Sequence, residues 1–218
     1  MSYYLDFSTA DHVVAPVVSF TDSFTFEIDA SFNGVDGSKQ FILWNGYKDF
    51  QKTFQFRFSS GNMEVGNFGN FFISVAIAGF PSPVTDRNLY TVELTGSGAT
   101  LKQNGTTVGS ASGSFFTSSD TSGSFTVGNR HSRSLFIDNM QLYGLTTITD
   151  TGDNRVYTFP SSGLTLPEAS SGTLDGDLQN FPADDSQWVF YAPPAVTPIK
   201  PSVTNLLATS ARLNWEQG

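Results

Sequence analysis

Cysteine is absent from the 218 residues. That excludes disulfides and thiolate metal sites, so any bound metal would be a hard ion held by oxygen atoms, such as calcium. Positive charge is scarce: 11 lysines and arginines stand against 20 aspartates and glutamates, for a net charge of −9. Neutralising phosphates takes basic stripes, so this balance argues against nucleic acid and against an anionic membrane surface as partners. No apolar run approaches the roughly 18 residues a membrane span needs, and no membrane insertion is expected. The opening MSYYLDFST lacks the basic segment, apolar segment and small-residue cleavage site of a secretion signal. Only two histidines occur, His12 and His131, neither in a recognisable nucleophile-and-base context. A glycine-rich phosphate loop followed by lysine is missing, and so is helical periodicity.

What the chain does have is phenylalanine, 21 residues of it, together with 20 glycines and recurrent period-two alternation. In SFTFEIDASF, Phe24, Phe26, Ile28, Ala30 and Phe32 fall on one face of a strand, and Glu27 and Asp29 on the other. TFQFRFS repeats the pattern with Phe54, Phe56 and Phe58, and YTVELT with Tyr90, Val92 and Leu94. Asn104-Gly105, inside ATLKQNGTTVGS, is a hairpin signal, because a type I′ turn needs positive φ at both positions. Further strands are expected around 2–7, 12–15, 40–45, 63–66, 71–77, 124–128, 135–143, 155–159 and 188–191. Many short strands with bulky inward faces predict an all-β, antiparallel two-sheet sandwich. The polar stretch 161–179 reads as a long loop whose far strand, in QWVFY, docks back on the sandwich. APPAVTPIKP, after Tyr191, reads as an extended linker over 192–201.

One stretch carries a physical conflict. In SLFIDNMQLYGL, residues 134–145, an extended strand puts Asp138 in the row of Phe136, Met140 and Leu142, and Ile137, Asn139, Gln141 and Tyr143 on the other face. A carboxylate in an apolar row needs backbone donors, a cation or an open sheet end.

YYLDFSTADHVVAP, FTFEIDASF, YTVELTGSGATLKQNGTTVGS and SFTVGNRHSRSLFIDNMQLYGL together resemble, in order and spacing, the laminin G-like or concanavalin A-like lectin domains. The resemblance covers about residues 2–145 and implies a jelly roll, with 146–191 as an extension and 1–191 as one unit. The segment 155–191 is similar to extensions that follow such domains in bacteriophage tail and appendage proteins. VTNLLATSARLNWEQG resembles the first strands of a fibronectin type III domain over 202–218, with Trp215 as its core tryptophan. The implied function is a non-catalytic carbohydrate-binding or adhesion module of a phage virion that contacts host-surface glycan. The implied location is the virion surface after assembly in the bacterial cytoplasm, or the extracellular space. Other virion proteins and further copies of the chain are the implied partners. A purely structural decoration or fibre subunit is the alternative.

Glycosidases of this fold add a third carboxylate after an E-x-D, but Ser31, Phe32 and Asn33 follow Glu27 and Asp29, so catalysis is not expected. Aromatic rings in the turn WNGYKDFQK suit stacking against sugar faces, with Asn and Asp taking hydroxyls. This makes Trp44, Asn45, Tyr47, Asp49 and Phe50 candidate sugar-binding residues, although rings folded back over a sheet end would have the same sequence. Arg130, His131 and Arg133, the only concentrated positive charge, are candidates for an acidic group on a ligand or neighbour. The resemblance also admits a structural calcium on Asp11 and Asp138; the alternative is that Asp138 accepts hydrogen bonds from backbone N–H groups of the opening turn.

Overall fold

The computed structural model describes residues 2–8, 10–47, 53–68, 70–115, 123–129, 136–137, 139–169 and 173–191. The strands are β1 (Ser2–Asp6), β2 (His12–Pro16), β3 (Phe24–Phe32), β4 (Gln40–Gly46), β5 (Phe54–Ser59), β6 (Asn62–Asn67), β7 (Asn70–Ala76) and β8 (Asn88–Thr95). They continue as β9 (Gly98–Gln103), β10 (Thr106–Ser112), β11 (Ser124–Val127), β12 (Met140–Thr149), β13 (Arg155–Val156), β14 (Thr165–Leu166), β15 (Gly176–Gln179) and β16 (Trp188–Tyr191). One turn of 3-10 helix, Ile77–Gly79, is the helical content of the described residues. Two eight-stranded antiparallel sheets form. The first runs β10-β9-β8-β3-β12-β1-β16 with β13 on β12; the second runs β14-β15-β2-β11-β4-β5-β6-β7. The architecture is the antiparallel two-sheet sandwich that the alternation predicts, in the jelly-roll form that the resemblance implies.

The phenylalanines explain why the two sheets stay together. Phe24, Phe26 and Phe32 of β3 project inward from the first sheet, and Phe54, Phe56 and Phe58 of β5 from the second; all six are buried. They meet edge-on across the interior, Phe24 on Phe54 at 5.3 Å, Phe26 on Phe56 at 6.3 Å and Phe32 on Phe58 at 5.0 Å between ring centroids. Edge-to-face pairs gain from the ring quadrupoles as well as from lost water contact. The two alternating segments are therefore each other's complement.

The Asn104-Gly105 turn joins β9 to β10 with φ of 50° and 79°. Asn104 also closes the turn with its side chain, accepting from the Leu89 N–H at 2.9 Å and donating to Asn88 at 2.8 Å.

Two expectations need correction. The strand expected over 135–143 begins at Met140, because Asn139 is left-handed, with φ of 51°. That kink breaks the alternation: Ile137, placed opposite Met140 and Leu142 in an unbroken strand, is buried with them. The stretch 161–179 is more than a loop. It supplies β14 and β15, and β15 pairs with β2 through Asp177–Val14, Leu178–Val13 and Gln179–His12, extending the second sheet. As expected, QWVFY docks back, as β16 on β1.

Candidate functional site

A clamp of charged side chains sets one corner of the second sheet. Residues 17–23 cross from β2 to β3, leaving backbone groups with no sheet partner. The β12–β13 turn meets them. Asp150 accepts from the N–H groups of Thr21, Asp22 and Ser23 at 2.8, 2.6 and 3.2 Å. Asp153 accepts from Ser19 N–H at 2.8 Å and pairs with Arg155 through both oxygens at 2.8 and 2.9 Å. Arg155, 1% exposed, also donates to the carbonyls of Pro16 and Val17 at 2.5 and 2.7 Å. Burial works to raise the Asp153 pKa, but the Arg155 and Ser19 hydrogen bonds and the Arg155 charge outweigh it and leave it lowered. Three backbone donors hold the Asp150 pKa low.

Beside this clamp an open groove of about 570 Å³ lies between β2, β11 and the β14–β15 extension. It is lined by the β2 end Val14, Ala15 and Pro16, by Gly123 and Ser124, and by Thr165, Thr173, Asp175 and Asp177. Its volume falls in the ~300–1,000 Å³ range of small-molecule sites. Its lining sets the apolar Val14 and Pro16 of β2 between Asp177 and Thr165 on one side and Ser124 on the other, with Thr173 and Asp175 completing a mixed polar and apolar surface. That mixture suits a ligand with hydroxyl edges and a C–H face. The Asp175 carboxylate is committed, accepting from Glu168 N–H at 2.8 Å. Asp177 is exposed, and no described group is hydrogen-bonded to its carboxylate.

Tyr47, 43% exposed, belongs to the same neighbourhood. Its turn rests on Gly123: a Cβ there would lie 2.6 Å from the Gly46 carbonyl carbon and 2.9 Å from Tyr47 N, and φ at Gly123 is 89°. Only glycine lets the β4 turn come this close to the start of β11. The Tyr47 backbone therefore lies against Gly123 of the groove lining.

The other sequence-predicted residues divide. Trp44 is 0% exposed, packed on Phe41 at 5.6 Å and Phe68 at 6.1 Å, its indole N–H donating to the Gly46 carbonyl at 2.8 Å. Asn45, also 0% exposed, holds Val18 through both its N–H and its carbonyl, at 2.8 and 2.9 Å. Neither offers a surface to a ligand. Asp49 and Phe50 lie outside the described residues, as do Arg130, His131, Arg133 and Asp138. Asn129, the residue before the basic group, follows the opposite end of β11 from Gly123, its carbonyl accepting from the Thr126 hydroxyl at 2.9 Å. The structure thus separates the approach to the basic group from the Tyr47 end. Asp175 and Asp177 are additions that sequence reasoning missed.

Asp11 is buried, and one of its oxygens accepts from both the N–H and hydroxyl of Ser8 at 2.7 Å. Burial, and then the Asp11 charge, raise the pKa of nearby Asp6, against a lowering hydrogen bond from Gln141. No group of three or more carboxylate or imidazole side chains gathers around a metal position among the described residues. Of the two expected calcium ligands, only Asp11 lies among the described residues.

The E-x-D pair faces outward. Asp29 is held bidentately by Arg87 at 2.8 and 2.6 Å, and Glu27 accepts from Thr91 at 3.5 Å. Arg87 lies between the rings of Tyr143 and Tyr191, 4.4 and 4.7 Å from their centroids. The Asp29 hydrogen bonds raise the Arg87 pKa despite partial burial.

No protein-family model matches the chain, and no curated protein sequence matches it. Solved structures share its fold. A candidate carbohydrate-binding protein from Bacteroides ovatus superposes with a TM-score of 0.59 at 15% identity, over 82% of this chain and 58% of that one. Domains LG4-5 of the mouse laminin alpha1 chain give 0.50 at 11% identity, over 66% of this chain and 40% of theirs. Carbohydrate-binding module CBM66 of Bacillus subtilis is a looser likeness, with a TM-score of 0.45 at 15% identity over 68% of this chain and 92% of the module. The chain spans less than two thirds of the length of the first two. At these identities the likeness shows the fold alone, an antiparallel jelly-roll sandwich.

Proposed function

We propose that this chain is a non-catalytic carbohydrate-binding module whose sugar site is the groove between β2, β11 and β15 together with Tyr47. One observation carries the reading: an open groove on a jelly-roll sandwich is lined by hydroxyls, carboxylates and apolar side chains, and its Gly123 packs against the backbone of the exposed Tyr47. The Bacteroides and Bacillus neighbours, by their descriptions, are in keeping with it. The Glu27 and Asp29 carboxylates lie on the outer face of the other sheet, and the Arg87 clasp on Asp29 is a structural use of that acid. The setting we propose is a phage virion surface, where such a module contacts host-surface glycan; the resemblance of 155–191 to phage appendage extensions supports it.

A structural virion subunit is the second reading, favoured by Ile148 and Val156, aliphatic residues 49% and 51% exposed on the first sheet. A glycan array probed with the full chain and with Tyr47→Ala separates the two. Binding that drops at least about tenfold in Tyr47→Ala, the scale of one lost aromatic contact of ~1.5 kcal/mol, supports the sugar site. No binding to any glycan, together with stable self-assembly, overturns it in favour of the structural reading.

A further inference from the structure

Given the groove as the sugar site, we infer that Asp177 makes it selective by charge, admitting neutral and amino-bearing glycans and refusing carboxylated or sulfated ones. The position of Asp177 is fixed by the sheet: β15 pairs it with Val14 on one side, and β14 pairs it with Thr165 on the other, so it stands on the groove wall between two lining residues. Asp175, two residues earlier on the same wall, spends one oxygen on the Glu168 N–H. The Asp177 carboxylate has no such commitment among the described residues and is exposed. An uncommitted carboxylate accepts from two adjacent hydroxyls or pairs with an ammonium group. A ligand carboxylate or sulfate would meet repulsion from this carboxylate.

Compensating charge is absent from the described lining, which contains no lysine or arginine. The segments 116–122 before Gly123 and 170–172 before Thr173 add none in sequence either, while the turn after Tyr47 carries Lys48 and Lys52 with Asp49 between them. Arg155 lies under Pro16, but its donors are taken by Asp153 and by the Pro16 and Val17 carbonyls. The groove therefore keeps the negative sign of the whole chain, −9. Like charges about 4–6 Å apart near a protein surface repel enough to cost roughly tenfold or more in affinity, an effect that falls away as the screening length shrinks to ~3 Å in 1 M salt.

The test uses the full chain against an array of neutral, amino-bearing, carboxylated and sulfated oligosaccharides, at low and at 1 M salt, with Asp177→Asn as the variant. Expected are at least tenfold weaker binding of anionic than of neutral members at low salt, a smaller ratio at 1 M, and a smaller ratio in Asp177→Asn at either salt. The melting temperature of the variant should stay where it is, since no described protein group donates to the carboxylate. Anionic glycans bound as well as neutral ones by the wild type, or a ratio that Asp177→Asn leaves untouched, overturn the inference while the sugar site stands if Tyr47→Ala still weakens binding. Failure to bind any class removes the site itself.

Discussion

Arg155→Ala should be among the most damaging single substitutions in the molecule, although the side chain it removes is charged. The guanidinium makes four hydrogen bonds, two to the Asp153 carboxylate and one each to the carbonyls of Pro16 and Val17. Removing it strands both carbonyls and leaves the carboxylate with the Ser19 N–H alone. Each buried acceptor left unmade costs about 1–3 kcal/mol, and breaking a buried ion pair from one side typically costs about 3–5 kcal/mol. The Asp153 side chain is 18% exposed, so water relieves part of the penalty, and the total should stay near 3–5 kcal/mol rather than the sum of its parts. For a domain of this size that is a fall of about 6–20 °C in melting temperature. Urea unfolding followed by tryptophan fluorescence reads it directly, since Trp44 and Trp188 are buried. The double variant Arg155→Met/Asp153→Leu should recover part of the loss, because no charge is then stranded. A loss below about 1 kcal/mol in Arg155→Ala would refute the clamp. Because Pro16 lines the groove, Arg155→Ala should also weaken any ligand bound there.

Four further outcomes follow from the same structure. Phe26→Ala, in a residue that meets Phe54, Phe56 and Phe125, should cost about 3–5 kcal/mol in equilibrium unfolding. Gly105→Ala should cost about 1 kcal/mol from its φ of 79° alone, as nothing lies within 4 Å of the added Cβ; an unchanged midpoint would mean the turn relaxes. Asp150 and Asp153 have folded pKa values below their unfolded ones, so their stabilisation is complete above the unfolded value of about 4 and is lost as pH falls through the folded value. Acid titration should thus show stability dropping below about pH 4, with a shallower drop in Asp150→Asn; Asp6, whose pKa is raised, pulls weakly the other way. Melts in excess chelator and in millimolar calcium should coincide if the opening turn is a hydrogen-bonded clasp around Asp11, while a rise with calcium would show an ion that binds the folded state.

The sandwich was legible because its core is written with period two. β3 and β5 alternate cleanly, and the Asn104-Gly105 turn has a composition few other structures tolerate. The run Phe41-Ile42-Leu43-Trp44 alternates with nothing. A register shift between Phe41 and Leu43 lets both Ile42 and Leu43 enter the core, which turns Trp44 outward and then under Phe41 and Phe68. The groove was the least legible part. Its far wall comes from strands of two and four residues, too short to show periodicity, and β15 finds its place only by pairing with β2 some 160 residues earlier. Leu178 and Leu166, both buried, were the available clue that 161–179 docks. Asn139 illustrates the same limit, since a single left-handed residue moved the start of β12 and put Ile137 into the core.

The most direct measurement is a crystal structure of the full chain with a glycan selected on the array. The account predicts the sugar in the groove between β2, β11 and β15, a hydroxyl or amino group within hydrogen-bond distance of Asp177, and the Tyr47 ring against a sugar face. A sugar bound at the Asn129 end of β11, or on the outer face of the first sheet beside Arg87, would contradict it.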